Sequence, residues 1–313
     1  LHWSVRRSKD CSTPPGRRVW HEACAGVIRE ALSAVARNES LGGLLSRTPG
    51  ARDVVKRVVG GDSVDGALTV AAELADRGLW VSLERAAPTV ASESDADEVL
   101  AENCLLIDRI VAAELAQSCE VTVFPDALTS AGDVGSPGAF ARLLEVTRQA
   151  EAAGVSLMVG MGGVDEVDRT LDWIDDLHAR ALPVGVTLQA CLRRTETDCR
   201  RLADRRVRLV KGAHRGDPHV AHDQPLEVDK AYVRCAKTLL GGNGNPSFAT
   251  HDPRLIEILE SLAERFRRDP HTFEYAFYMG RLEGAQVRLS QAGDRVRIYV
   301  PYGPDWFERL VGG

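Results

Sequence analysis

From Gly60 onward the apolar positions of the chain alternate between two rhythms. Short runs rich in Val, Leu, Ile and Tyr predict strands over residues 79–84, 120–124, 155–160, 184–189, 207–211, 247–250, 272–276 and 296–300. Between them, apolar residues recur three and four apart. This predicts helices over 65–76, 95–117, 139–153, 164–180, 196–203, 227–240, 253–268 and 281–291. Two helix starts carry capping chemistry: Ser94 or Asp95 before the second, and Asp252 with Pro253 before the seventh. Eight strands that each return through a helix close most simply as a (β/α)8 barrel; the rival is an open doubly wound sheet. No GxGxxG follows the first strand, which disfavours a dinucleotide fold of the Rossmann kind.

Ahead of this rhythm the pattern changes. Residues 1–18 are polar, basic and broken by Pro14, Pro15 and Gly16, and are expected to form a mobile arm. Residues 19–60 carry shorter helical patterns, with Ala23, Val27, Ile28 and Leu32 in register, and are expected to be an N-terminal helical region. Residues 61–313 would then be the barrel.

Composition narrows the function classes. The chain has 313 residues, 44% apolar and 27% charged, enough for a large core. Its net charge of −6 argues against nucleic acid as the main partner. The seven cysteines show no CxxC spacing, so neither a metal site nor a disulfide framework is expected, and a reducing cytoplasm is the simplest compartment. No apolar run approaches the roughly 18 residues needed to span a bilayer, and no apolar stretch follows Arg6 and Arg7 as a signal peptide would require.

A barrel places its chemistry at the C-terminal ends of its strands. The residues that would close them are Glu84, Phe124, Gly160, Gln189, Lys211, Thr250 with His251, Tyr275 and Tyr299. The stretch VRLVKGAHRGDP, from Val207 to Pro218, is the most polar of these ends. It reads either as an active-site floor or as a strand end with solvated charges. Arg208 and Lys211, three apart on a strand, point to different faces or levels unless the strand end twists. Beside the flexible Gly212-Ala213 step they suit a diphosphate or a ring that becomes anionic. Arg208 also reads as one half of a buried ion pair. Gln189 offers donors and an acceptor to a planar heterocycle. Thr250 and His251 stand before a helix start, where anions are favoured. Lys211 further allows a Schiff-base lysine of an aldolase, given an apolar or cationic neighbourhood.

Several segments together resemble the proline dehydrogenase family: RLVKGA (Arg208 to Ala213), QACLRRTETD (Gln189 to Asp198), FATHD (Phe248 to Asp252), FEYAFYMG (Phe273 to Gly280) and VRIYVPYGPDW (Val296 to Trp306). The region from Arg47 to Leu68 also resembles the family's N-terminal helices. The resemblance spans about residues 41–307 and implies a distorted TIM-type barrel with extra N-terminal helices, holding FAD at its strand ends. The implied activity is oxidation of CH–NH: hydride removal from the carbon next to the proline nitrogen, giving pyrroline-5-carboxylate. It implies FAD contacts from Gln189, Arg208, Lys211, Gly212, Ala213, Thr250 and His251, with Arg208 stabilising the reduced ring and so counted as catalytic. Tyr299 corresponds to a substrate-pocket tyrosine, and Tyr275 and His214 fall on the substrate side.

That substrate side departs from the family pattern. Phe124, Pro125 and Asp126 stand where a lysine is expected after the second strand. Gly160, Met161 and Gly162 replace an Asp and a Glu, Ala86-Ala87-Pro88 replaces Leu-Gly-Glu, and His214 replaces a tyrosine. The carboxylate-gripping arginine pair falls on Gly312 and Gly313, or, with a short deletion, one member falls on Arg309. The expected partner is a small-molecule amine, either proline or a cyclic amine whose carboxylate is masked or absent; the alternatives are a flavin binder without turnover or a chain that stops short of the arginines. The electron acceptor is not specified by the sequence, and a quinone or membrane-surface contact stays open.

Overall fold

The computed structural model describes residues 59–86, 90–130, 137–212, 214 and 217–303. The arm over residues 1–18, nearly all of the helical region over 19–60, Ala213 and Arg309 lie outside the described residues.

Eight parallel strands close into a barrel in sequence order. They are β1 (Trp80–Arg85), β2 (Cys119–Val123), β3 (Ser156–Val159), β4 (Gly185–Gln189), β5 (Val207–Val210), β6 (Ser247–Ala249), β7 (Glu274–Tyr278) and β8 (Arg295–Tyr302). Helix α1 (Val64–Asp76) precedes β1. The others fill the seven crossovers: α2 (Glu93–Ala112), α3 (Pro137–Ala153), α4 (Val167–Ala179), α5 (Thr195–Arg201), α6 (Pro225–Gly241), α7 (Pro253–Arg265) and α8 (Glu283–Gln291). No helix among the described residues is long and apolar enough to cross a membrane. The five described cysteines are unbridged.

The predicted (β/α)8 alternation is therefore the observed one, with corrections at element ends, of which two bear on the argument. Helix α2 is capped by Ser92, not by Ser94 or Asp95. The Ser92 hydroxyl accepts from the Asp95 N–H while the Asp95 carboxylate accepts from the Ser92 N–H, a reciprocal box. Strand β7 runs to Tyr278, two residues past the expected end. The apolar-aromatic run FEYAFY has no turn residue to mark where the strand stops.

The side chains sort by strand alternation. The faces turned toward the helices carry Val81, Leu83, Val121, Val123, Leu157, Val159, Val186, Leu188, Leu209, Phe248 and Ile298, all buried in one apolar shell. Helix α1 seats Ala67, Leu68, Ala71 and Leu74 in this shell, against β8 and β1. The opposite faces point into the barrel and are polar. Neighbouring strands bring Glu120, Arg206, Arg208, Glu274 and Arg297 to one level of the interior, all buried except the half-buried Arg206.

These five charges are paired through direct bonds. Glu120 accepts from Arg206 at 2.6 Å and pairs closely with Arg208. Arg297 grips Glu274 with two parallel bonds, at 2.8 and 3.0 Å, and Arg206 adds a third at 3.1 Å. Arg208 also donates to Thr122 at 3.2 Å and Ser82 at 3.0 Å. Burial alone would raise the Glu120 carboxyl, but Arg297, Arg208 and Arg206 hold it far below the usual carboxylate range. Burial opposes ionisation of Glu274 as well, and Arg206 and Arg297 outweigh it.

Removing one partner of such a network strands a buried charge, at a cost of about 3–5 kcal/mol. Glu120→Gln should therefore lower the unfolding free energy, measured by urea titration, by an amount of that order. Because both folded carboxyl pKa values are depressed, their stabilisation is full above the unfolded value of about 4.3 and is lost as pH falls further. Acidification from about pH 6 to about pH 3 should lower the wild-type midpoint, and lower it less in Glu120→Gln. An acid loss equal in the two proteins would show that Glu120 does not carry the effect.

Candidate active site

Above the charge layer the barrel opens into a cavity of about 1060 Å3, its open mouth included. The floor is Arg208, Arg297, Ser82, Thr122 and Thr187; the walls include Phe124, Gln189, Lys211, Gly212, Thr250, His251, Tyr278 and Tyr299. The floor residues sit lower in their strands, while the wall residues lie at or past the C-terminal ends, where a parallel barrel leaves its loops free to build a site.

Arg208 and Lys211 both reach this cavity, at different depths. Arg208 lies in the floor, turned down onto Glu120, so both readings of it hold at once: ion-pair partner and cavity lining. Its Nε is buried without a hydrogen-bond partner, and its guanidinium lies 5.8 Å from the centre of the Tyr299 ring. Lys211 emerges at the rim, where its ammonium pairs with Asp229 of α6 at 2.5 Å, with Asp252 4.0 Å away. Two carboxylates are the opposite of the apolar or cationic neighbourhood a Schiff-base lysine requires, which removes the aldolase alternative.

Gly212 turns the chain away from the cavity at φ +72°, the left-handed region. A Cβ there would lie 2.8 Å from both Cys191 Sγ and Gln189 Cβ. The β4 and β5 exits are laced together: Ala190 N–H donates to Val210 O and Cys191 N–H to Lys211 O, both at 2.8 Å. Gln189 is held on the opposite side, donating to Gly162 O at 3.1 Å. The glycine thus permits the backbone of the RLVKGA segment to pass directly beside the glutamine.

His251 is fixed by its surroundings. Its Nε2 accepts the Tyr278 N–H at 2.9 Å, which places the ring proton on Nδ1. The ring stacks on Tyr278 at 5.3 Å. Burial lowers its pKa to about 4, with a further push from Arg281. His251 is therefore a neutral donor, not an anion-binding cation. The helix end beside it is capped by Asp252, whose side chain accepts the Arg254 N–H.

The sequence misplaced one wall of the site. Tyr275 is fully buried on the helix side of β7, its ring edge-on to Phe273, and does not line the cavity. Strand alternation instead sends Ala276 and Tyr278 inward. Tyr278 meets Tyr299 edge-to-face at 5.2 Å, and the Tyr299 hydroxyl is buried without a partner. Tyr278 was discoverable, because it shares parity with Glu274, whose charge could only face the barrel interior. His214 is half-buried and does not line the cavity. Phe124 and Gly160 form a single feature: a Cβ on Gly160 would lie 2.3 Å from the Phe124 ring, so that ring occupies the space over β3.

The cavity can receive a planar ring with polar edges. It offers unpartnered buried donors at Arg208 Nε and Tyr299 Oη, the buried Thr250 hydroxyl, and a close backbone approach at Gly212. Three guanidinium groups against two carboxylates leave the floor with one excess positive charge, which favours electron-rich groups above it. These features fit the flavin ring of FAD.

Known proteins agree with this architecture. The family model for proline dehydrogenase matches residues 67–306. The chain is 27% identical over 266 residues to Proline dehydrogenase 2 of Bacillus subtilis (strain 168), covering 84% of this chain and 86% of that protein. It is also 27% identical over 263 residues to a proline dehydrogenase of Deinococcus radiodurans, covering 82% and 83%. Among solved structures, proline utilization A (PutA) from Bdellovibrio bacteriovorus, inactivated by N-propargylglycine, superposes with a TM-score of 0.73 at 24% identity. That match covers 82% of this chain and 31% of the larger one, and it shows the shared barrel.

The neutral, Nδ1-protonated state of His251 has a direct readout. Its ring signals in NMR should stay constant from about pH 8 down to about pH 5.5, whereas an unperturbed histidine titrates near 6.5. A midpoint above 6 would contradict the buried environment described.

Proposed function

The chain belongs to the proline dehydrogenase family, and on that premise we propose that it oxidises the C–N bond of proline or a proline-like cyclic amine in the cavity above the charged floor. The family's enzymes are FAD-dependent oxidoreductases acting on CH–NH. Bound in this cavity, FAD supplies the two-electron oxidant that the protein's own side chains lack.

The residues proposed to hold it are Gln189, Arg208, Lys211, Gly212, Ala213, Thr250 and His251. Gln189 offers its amide edge, while Thr250 and the Nδ1–H of His251 donate. Arg208 contributes charge from below, in a setting where water is largely excluded and a fixed cation is worth more than in solvent. It does not need to move, because Glu120, Ser82 and Thr122 hold it. Tyr278, Tyr299 and Phe124 give the substrate ring aromatic walls. The carbon that loses its hydrogen keeps no charge once the nitrogen lone pair forms the C=N bond, so no nucleophile is required. The residues position, and they set the field.

The observation that carries this reading is the cavity itself. Six of the seven positions singled out by the family motifs converge on it; the seventh, Ala213, lies outside the described residues. A specific observation also favours a substrate without a free carboxylate. Each cation in the cavity wall is already paired: Arg208 with Glu120, Arg297 with Glu274, Lys211 with Asp229. Among the described residues, no further lysine or arginine lines the cavity.

Purified protein supplied with FAD should show flavin absorbance, and anaerobic addition of a cyclic amine should bleach it. Pyrrolidine or proline methyl ester should bleach it faster than free proline. Arg208→Met should lower stability because Glu120 loses a partner; at temperatures where circular dichroism shows the barrel folded, it should slow bleaching by roughly 100-fold. Failure of every amine to bleach the bound flavin would refute the oxidoreductase reading.

A further inference from the structure

One buried carboxyl beside the cavity, just behind its lining residues, has no role in the description so far. Glu84 lies on the inward face of β1, one alternation step above Ser82. Its register partners are Thr122 on β2 and Pro301 on β8. Ser82, Thr122, Phe124 and Tyr299, its neighbours below and to either side, all line the cavity. Its Oε2 is shut off from solvent and meets no hydrogen-bond partner. A buried carboxyl oxygen without a donor is costly to keep, which points to a donor that arrives with a ligand.

We propose that Glu84 is the group that binds the ammonium of the substrate amine and takes its proton, so that the site selects cationic cyclic amines. This rests on the amine-oxidation reading above. The chemistry requires it: a ring nitrogen donates its lone pair to the new C=N bond only after losing the ammonium proton. In the step, one N–H bond breaks, its electron pair stays on nitrogen, and the proton passes to Glu84 Oε2. The aromatic walls at Tyr278, Tyr299 and Phe124 suit a cation before that transfer.

The charged groups around Glu84 agree with the assignment. Burial pushes its pKa up to about 8; Arg208, from β5, opposes the rise, and Asp126, in the turn after β2, adds to it. Arg85, next on the same strand, is engaged with Glu102 of α2, and the Tyr302 phenol of β8 is itself raised by burial. Glu84 is thus held protonated near neutrality before the amine binds; the arriving ammonium expels that proton to solvent, and the freed carboxylate is what then accepts the ammonium proton. The sign follows: proton release on binding is near one per amine at neutral pH and fades as pH rises through about 8.

The test is calorimetry on the chemically reduced, anaerobic, FAD-loaded protein, so that binding is read without turnover. Pyrrolidine is titrated in two buffers of different ionisation heat, with tetrahydrofuran as the uncharged ring and proline as the carboxylated one. The expected result is pyrrolidine binding with release of about one proton at pH 7, and weaker binding of tetrahydrofuran and proline. Glu84→Gln should bind pyrrolidine about ten- to a hundredfold more weakly and release no proton; Glu84→Asp should recover part of both. Absence of pyrrolidine binding in the wild type, or unchanged affinity and proton count in Glu84→Gln, overturns the proposal. Should Glu84→Gln fail to fold, wild-type affinity and proton release in Glu84→Asp overturn it as well, because the shorter side chain withdraws the carboxyl. Bleaching of the oxidised flavin is scored separately. An amine that bleaches it while the proton count is indifferent to residue 84 sinks Glu84's role alone, and an amine that binds with the expected proton release but never bleaches it sinks only the oxidation reading.

Discussion

The barrel depends on keeping five charges inside it in one layer of mutually paired groups. Glu120 and Glu274 come from β2 and β7, three strands apart around the barrel, and Arg206, Arg208 and Arg297 pair with them. A parallel barrel is normally filled by layers of branched apolar side chains. Here one layer is an ion network, tolerable only because nearly every lone pair and N–H is satisfied. An apolar filling would pack as well. It would not leave an excess positive charge under an open cavity, nor hold Arg208 with its Nε unspent.

That commitment shapes what the cavity can recognise. The cations that reach it are spent on carboxylates of the fold, and Phe124 covers the β3 side by lying across Gly160. The residues at these two positions are thus physically coupled, since a side chain at 160 would collide with the ring at 124. What remains around the opening is aromatic surface and a neutral histidine, with the unpartnered carboxyl of Glu84 behind the lining. Such a mouth is hospitable to an amine and inhospitable to an unpaired carboxylate.

Much of this was legible in the chain. The period-two and period-3.6 rhythms found all eight strands and their intervening helices, because the outward strand faces and the helix stripes share one apolar shell. The motifs found Gln189, Arg208, Lys211, Gly212, Thr250 and His251, and the cavity brings them together. Tyr275 went astray for a local reason: in FEYAFY every residue suits a strand, so neither the strand end nor its parity is marked. Parity was decided by Glu274, which must share the barrel interior with Arg206 and Arg297.

The sequence by itself determined the order of strands and helices and named residues that converge on one cavity, since both are written in local periodicity and contiguous motifs. Only the tertiary structure decided which charges cancel. Glu120 and Arg208 are 88 residues apart, and Arg297 and Glu274 lie on neighbouring strands. Whether Arg208 is a free cation or a paired one, whether His251 carries charge, and whether Glu84 has a partner are questions of distance between strands. Coulomb and desolvation energies depend on that distance and on the surrounding dielectric, neither of which a linear pattern encodes.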